Sequence, residues 1–180
     1  DGLSVPEDIF IVGKTLYVAD TGNARILIYD METETTRELG KGELTQPRGL
    51  YVTDDGSIYV EWSTNEKAAM ELAAGAAYCG ARTMVTMKQV GLNVASDPLM
   101  SLAYIGVKGG MVILVADDPG PISSQTEQDT RRFAAFSKLP CFDPSGVQEA
   151  YDMIQEAFAY SERYHTPVLF RPTTRVCHGY

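Results

Sequence analysis

The chain has 180 residues, 44% hydrophobic and 22% charged, enough for one ordinary domain or two small ones with a sizeable core. Its formal net charge of -9 comes without clustered Lys and Arg, which excludes nucleic acid as a partner because phosphates would go unneutralised. Cys79, Cys141 and Cys177 are widely spaced and form no Cys-x-x-Cys pair, so neither a disulfide framework nor a zinc site is indicated, and a reducing cytoplasm fits best. Residues 1–12 lack a basic stretch followed by an apolar one, and no apolar run is long enough to span a bilayer, so a soluble chain is expected.

The N-terminal third repeats itself. Pro6-Glu7-Asp8-Ile9-Phe10-Ile11-Val12 matches Pro47-Arg48-Gly49-Leu50-Tyr51-Val52 at an offset of 41 residues (47 less 6), and Leu16-Tyr17-Val18 returns as Ile58-Tyr59-Val60 at 42 (58 less 16). Alternating segments at 8–12, 15–19, 25–30, 48–52 and 58–60 are separated by turn residues such as Gly13-Lys14 and Thr21-Gly22-Asn23, which predicts an antiparallel meander. The run Leu16-Tyr17-Val18-Ala19-Asp20-Thr21-Gly22-Asn23-Ala24-Arg25-Ile26, with Gln46-Pro47-Arg48-Gly49-Leu50, resembles the NHL repeats of β-propellers over residues 3–60. One and a half repeats would be blade-like pieces, because propellers need several blades to cover their faces.

A change of pattern at Tyr59–Ser63 separates this segment, 1–60, from 61–180. Beyond it, helical periodicities alternate with apolar strands, the pattern of an α/β fold with a parallel sheet. A helix is predicted over 64–80 with Ala69, Leu72, Ala73, Ala76 and Ala77 on one face, then strand 82–87, helix 96–107 and strand 111–116 after Gly109-Gly110. A helix over 125–138 leads through Leu139-Pro140-Cys141-Phe142 to helix 146–164, with Val147, Tyr151, Ile154 and Phe158 at helical spacing, and to a last strand at 167–171. Ser124 with Glu127, and Ser145 with Gln148, fit capping boxes.

Three stretches give this region its identity: Glu61-Trp62-Ser63-Thr64-Asn65-Glu66-Lys67-Ala68-Ala69, Thr86-Met87-Lys88-Gln89-Val90-Gly91-Leu92-Asn93-Val94-Ala95-Ser96-Asp97-Pro98, and Val115-Ala116-Asp117-Asp118-Pro119-Gly120. They continue through Ser123-Ser124-Gln125-Thr126-Glu127-Gln128-Asp129 and Arg171-Pro172-Thr173-Thr174-Arg175-Val176-Cys177-His178. Together they resemble the aminopyrimidine-binding domain of the indolepyruvate:ferredoxin oxidoreductase alpha subunit, of the thiamine-diphosphate-dependent 2-oxoacid:ferredoxin oxidoreductase family. The resemblance implies a truncated parallel-sheet thiamine-diphosphate-binding fold behind the blade-like segment, a chimera of two families. It also implies oxidative decarboxylation of arylpyruvates to aryl-acetyl-coenzyme A with ferredoxin as acceptor.

Glu66 falls where such enzymes place the carboxylate that binds the cofactor's aminopyrimidine and favours its imino form. Ser63-Thr64-Asn65-Glu66 is equally a capping box, in which Glu66 serves only the helix start. Lys88 and Asn93 are placed in a loop after strand 82–87, at the carboxyl end where ligands of open parallel sheets gather. Lys88 is a candidate for the substrate carboxylate and Asn93 for the cofactor, against a solvated lysine and a turn-forming asparagine.

The resemblance further implies magnesium and iron–sulfur clusters supplied by modules absent from this chain, a missing diphosphate-binding module or second subunit, and a homo-oligomer. Activity from this chain alone is not expected. The alanine face suits either a dimer contact or the chain's own core. His165 and His178 read as surface or hydrogen-bonding residues, Cys141 and Cys177 as buried small apolar ones. The competing function is an NHL-type interaction module with a non-catalytic α/β tail.

Overall fold

A computed structural model describes residues 2–4, 6–12, 14–39 and 59–179. The chain divides into two compact units, Asp1–Trp62 and Ser63–Tyr180.

In the first unit β1 (Pro6–Val12), β2 (Thr15–Asp20), β3 (Arg25–Asp30) and β4 (Thr35–Leu39) form an antiparallel meander in sequential order. Short turns set its register: Thr15 faces both Val12 and Asp30, and Asp30 faces Thr35. Between β2 and β3 runs a 3-10 turn, Thr21–Asn23, in which Gly22 has no room for a side chain because a methyl carbon there would lie 2.4 Å from Ser4 Oγ and 2.7 Å from Ser4 O. After β3 the Asp30 carboxylate accepts the amides of Glu32 and Thr33 and closes the turn into β4.

β4 was not among the predicted strands. Its Thr, Arg and Glu residues are exposed throughout, and the strand forms by pairing with β3 rather than by burying a face. A predicted strand at 48–52 lies outside the described residues, as does Ile58, while Tyr59 and Val60 belong to no strand. Buried Arg25 joins the meander together by donating to Asp20 at 2.7 Å and to Glu38.

The second unit is a four-stranded parallel sheet in the order β5 (Thr83–Lys88), β6 (Met111–Ala116), β8 (Val168–Phe170), β7 (Cys141–Phe142). Its helices are α1 (Glu66–Tyr78), α2 (Gln89–Val94), α3 (Ser96–Ile105), α4 (Thr130–Ser137), α5 (Val147–Tyr164) and α6 (Thr174–Cys177). β6 is an almost continuous apolar run because it is covered on both faces. Met111, Ile113 and Val115 pack with Met70 and Ala77 of α1, Leu92 of α2, and Leu99 and Leu102 of α3. α5 packs on β6 and β8 with Ala157 and Phe158 buried. Ser161 of α5 accepts the amide of Met111 at 2.8 Å and donates to Thr166 O at 2.7 Å, so the first amide of the central strand is satisfied in the core.

Several expectations need correction. The buried face of α1 is Met70, Ala74 and Ala77, with Ala69 and Ala73 packed beside them, whereas Leu72 is exposed; Met70 rather than Leu72 sets the phase. Residues 89–94 form α2 instead of a loop. Glycine and two valines make this a poor helix by propensity, and burial of Gln89, Gly91 and Leu92 holds it in place.

α4 starts at Thr130, not 125, behind an Asp129 cap that accepts the amide of Arg131. The amides of Ile122, Ser123 and Ser124 are taken by the Asp118 side chain, so Ser124 and Glu127 make no capping box. Gly146 caps α5, and Ser145 donates its amide and hydroxyl to Glu149 rather than pairing with Gln148. Val147 and Tyr151 are exposed while Phe158 is buried. Cys141 is half-buried and Cys177 exposed, against the expectation that both are buried.

Candidate functional site

The site is built at the carboxyl ends of β5 and β6 and at the start of α1, where an open parallel sheet places its ligand-contacting loops. α1 begins at Asn65, whose extended backbone (φ -162°, ψ 172°) turns its side-chain oxygen onto the amide of Ala68 at 3.0 Å. The cap is therefore Asn65 with Ala68, not the expected Ser63 with Glu66, and Glu66 is released from capping. As the first helical residue Glu66 keeps the favourable interaction of a carboxylate with the helix start.

Glu66 is half-buried and takes no hydrogen bond or ion pair from another described residue. Its side chain lies against Gly91 of α2. A methyl carbon on Gly91 would sit 2.6 Å from Glu66 Cγ, 2.8 Å from Oε1 and 2.9 Å from Cδ.

Lys88 ends β5 and precedes α2. Its Nζ donates to Ser123 Oγ at 2.8 Å and lies 4.0 Å from Asp118 Oδ2. Asp118 is fully buried, and Oδ2 accepts the amides of Ser123 (2.8 Å), Ile122 (3.0 Å) and Ser124 (2.8 Å). These amides, Ser123 foremost, hold its carboxyl far below the ordinary aspartate range against the opposing effect of desolvation. Asp118 Oδ1 has no hydrogen-bond partner among the described residues. Beside Lys88, buried Gln89 donates from Nε2 to Thr126 O at 2.8 Å, and its Oε1 likewise has no partner among the described residues.

Asn93 is exposed on α2, two residues from Gly91 and so off the helix face that meets Glu66. Its backbone oxygen accepts from Ser96 Oγ. The three sequence-predicted site residues thus surround α2 without hydrogen-bonding one another: Glu66 on its Gly91 face, Lys88 before its first residue, and Asn93 elsewhere on its surface.

A second polar cluster was not anticipated. Buried Asp117, just past β6, accepts from Arg171 Nε at 2.6 Å, from Thr130 N at 2.8 Å and from Thr130 Oγ1. Arg171 also donates to Asp143 at 2.9 Å. The cluster ties β6, the residue after β8, the start of α4 and the residue after β7 into one scaffold below the Asp118 loop. Its sequence signal is the pair Asp117-Asp118 directly after a wholly apolar strand, a place where a carboxylate needs a buried partner. Gly91 had a weaker signal, a glycine within a stretch that turns out helical.

Among the described residues no three His, Cys, Asp or Glu side chains are grouped to hold a metal ion, and no helix is long and apolar enough to cross a membrane. His165 and His178 are both exposed.

Indolepyruvate oxidoreductase subunit IorA of Pyrococcus abyssi is 52% identical over 172 residues, 96% of this chain and 26% of the relative. The subunit of the same name from Pyrococcus horikoshii is 42% identical over 172 residues with the same coverage. That of Methanothermobacter marburgensis is 54% identical over 121 residues, 67% of this chain and 20% of the relative. The chain thus spans about a quarter or less of the length of the curated relatives it matches. A solved transketolase structure from Pichia stipitis covers 64% of this chain and 20% of its own at 16% identity and a TM-score of 0.47, a likeness too slight to carry an argument. Residues 41–179, most of the chain, match the family described as pyruvate flavodoxin/ferredoxin oxidoreductase, thiamine diphosphate-binding, and the chain belongs to that family.

Proposed function

We propose that the α/β unit supplies the aminopyrimidine-binding half of a thiamine-diphosphate site in an oxidoreductase acting on arylpyruvates, indolepyruvate among them, with Glu66 as the carboxylate that shares a proton with the ring. One observation carries this reading. In a chain of this family, Glu66 is a half-buried carboxylate at a helix start with no partner among the described residues and a glycine cleared in front of it. A ring nitrogen requires an accessible, uncommitted proton partner, and Glu66 fits that requirement.

When bound, thiamine diphosphate supplies the carbon nucleophile and electron sink for cleaving the bond between the carboxylate and carbonyl carbons of a 2-oxo acid. Glu66 holds or yields the proton at the ring nitrogen. Lys88, half-exposed at the end of β5 and steadied by Ser123, presents a positive charge to the substrate carboxylate. Asn93 offers an exposed amide to the cofactor. Magnesium, the diphosphate end and iron–sulfur clusters fall to other modules in this reading, and ferredoxin, coenzyme A, a second subunit, a homo-oligomeric assembly and a cytoplasmic setting belong to the complete enzyme.

The test is calorimetric titration of thiamine diphosphate, with and without magnesium, into the assembled enzyme and its Glu66→Gln variant. Weakened binding together with lost turnover supports the assignment; near-normal turnover returns Glu66 to a helix-start role. The antiparallel meander of β1 to β4 favours a second reading, an NHL-type interaction module with a non-catalytic α/β tail. Saturable cofactor binding that depends on Glu66 would refute the non-catalytic part.

A further inference from the structure

We infer that Gly91 is a positioning residue for Glu66: the missing side chain on α2 is what lets the carboxylate occupy its place at the start of α1. The inference rests on the reading of Glu66 as the proton-sharing group. Glycine inside a helix is disfavoured relative to alanine, so its presence there needs a cause. Backbone freedom is not that cause, because among the described residues the glycines with positive φ are Gly80, Gly106 and Gly120, and Gly91 is ordinary helix.

Space is the cause. The three nearest heavy atoms to a methyl carbon at Gly91 all belong to Glu66: Cγ at 2.6 Å, Oε1 at 2.8 Å and Cδ at 2.9 Å. Separations that short do not occur between real carbons, so one group must move. At Gly109 the obstruction is backbone, with Ala81 O only 2.1 Å away, and an added carbon would disturb the fold. At Gly91 the obstruction is a side chain with rotatable bonds on a half-buried residue. Alanine there turns the carboxylate aside and leaves the helix intact. It is a displacement of one functional group with almost no structural cost, and position 91 thereby controls whether position 66 meets the aminopyrimidine.

The experiment is a thermodynamic cycle in the assembled enzyme with Gly91→Ala, Glu66→Ala and the double variant, reading thiamine diphosphate affinity by calorimetry and thermal unfolding by circular dichroism. Gly75→Ala, in α1 with nothing within 4 Å of the added carbon, is the control for helix propensity. Gly91→Ala is expected to weaken cofactor binding by about tenfold or more, the scale set by misplacing a binding group, while its unfolding midpoint stays level or rises as in the control. In the Glu66→Ala background the same change should leave affinity where Glu66→Ala alone puts it. The Glu66 side-chain carboxyl resonance of the isotopically labelled chain should shift on Gly91→Ala without cofactor.

Equal loss of affinity in both backgrounds, or unchanged affinity in Gly91→Ala, overturns the positioning role. If Glu66→Ala itself binds cofactor normally, the assignment of Glu66 fails. The carboxyl resonance then reports separately whether Gly91 sets the place of that side chain.

Discussion

Asp117→Ala removes the acceptor at the centre of the buried polar scaffold. Three donors lose their partner: Arg171 Nε at 2.6 Å, Thr130 N at 2.8 Å and the Thr130 hydroxyl. Each orphaned buried donor costs about 1–3 kcal/mol, and Arg171, almost fully buried, keeps Asp143 at 2.9 Å and the more distant Asp129 at 3.8 Å to offset its charge. The three together span about 3–9 kcal/mol, and the lower part of that span, about 3–5 kcal/mol, is the range for breaking a buried ion pair from one side and is the loss expected here.

A domain has only about 5–15 kcal/mol in all, so urea unfolding followed by far-ultraviolet circular dichroism should show the midpoint of the α/β unit falling sharply at an unchanged slope. Replacing both partners, Asp117→Leu with Arg171→Met, should cost less than Asp117→Ala alone, because no buried charge is then left unpaired and Asp143, which loses Arg171, is exposed. A loss below about 1 kcal/mol for Asp117→Ala would mean that water reaches these donors, and the reasoning from burial would be wrong.

Glu66→Gln in the complete enzyme should lower turnover by at least about two orders of magnitude with a much smaller change in substrate affinity, as steady-state assays would show. Asp118 has a carboxyl pKa lowered on folding, so its contribution to stability is present above the unfolded value of about 4 and is lost as pH falls below it; urea midpoints measured down through that range should decline, and Asp118→Asn should flatten the decline. Burial pushes the Cys141 thiol up to about 11, so alkylation at pH 8 followed by mass spectrometry should modify exposed Cys79 well before Cys141.

Elements with a strong local pattern were readable from sequence. Strand 111–116 coincides with β6 because an apolar run after Gly109-Gly110 has few other destinations, and 146–164 differs from α5 by one residue because eighteen residues of amphipathic pattern average out local errors. Elements defined by distant partners were not. α2 exists because Leu92 and Gly91 are buried by other segments, β4 because β3 lies beside it, and the late start of α4 reflects amides captured by Asp118.

The same division runs through the site. Glu66 at a helix start is visible in its local surroundings, whereas its apposition to Gly91, the tie of Lys88 to Ser123 and that of Asp117 to Arg171 join residues far apart in sequence. The expected capping by Ser63 failed because Asn65, two residues later, is the better placed acceptor for the first free amides.

The segment between β6 and α4 is fastened before any ligand arrives. Asp118 grips three consecutive amides, Lys88 holds Ser123, and Gln89 holds the carbonyl of Thr126. Fixing a backbone costs about 1–2 kcal/mol per residue in lost conformational entropy, and here folding of the unit meets that loss. A molecule binding at the strand ends therefore encounters a wall already in shape, and its affinity need not be spent on ordering it.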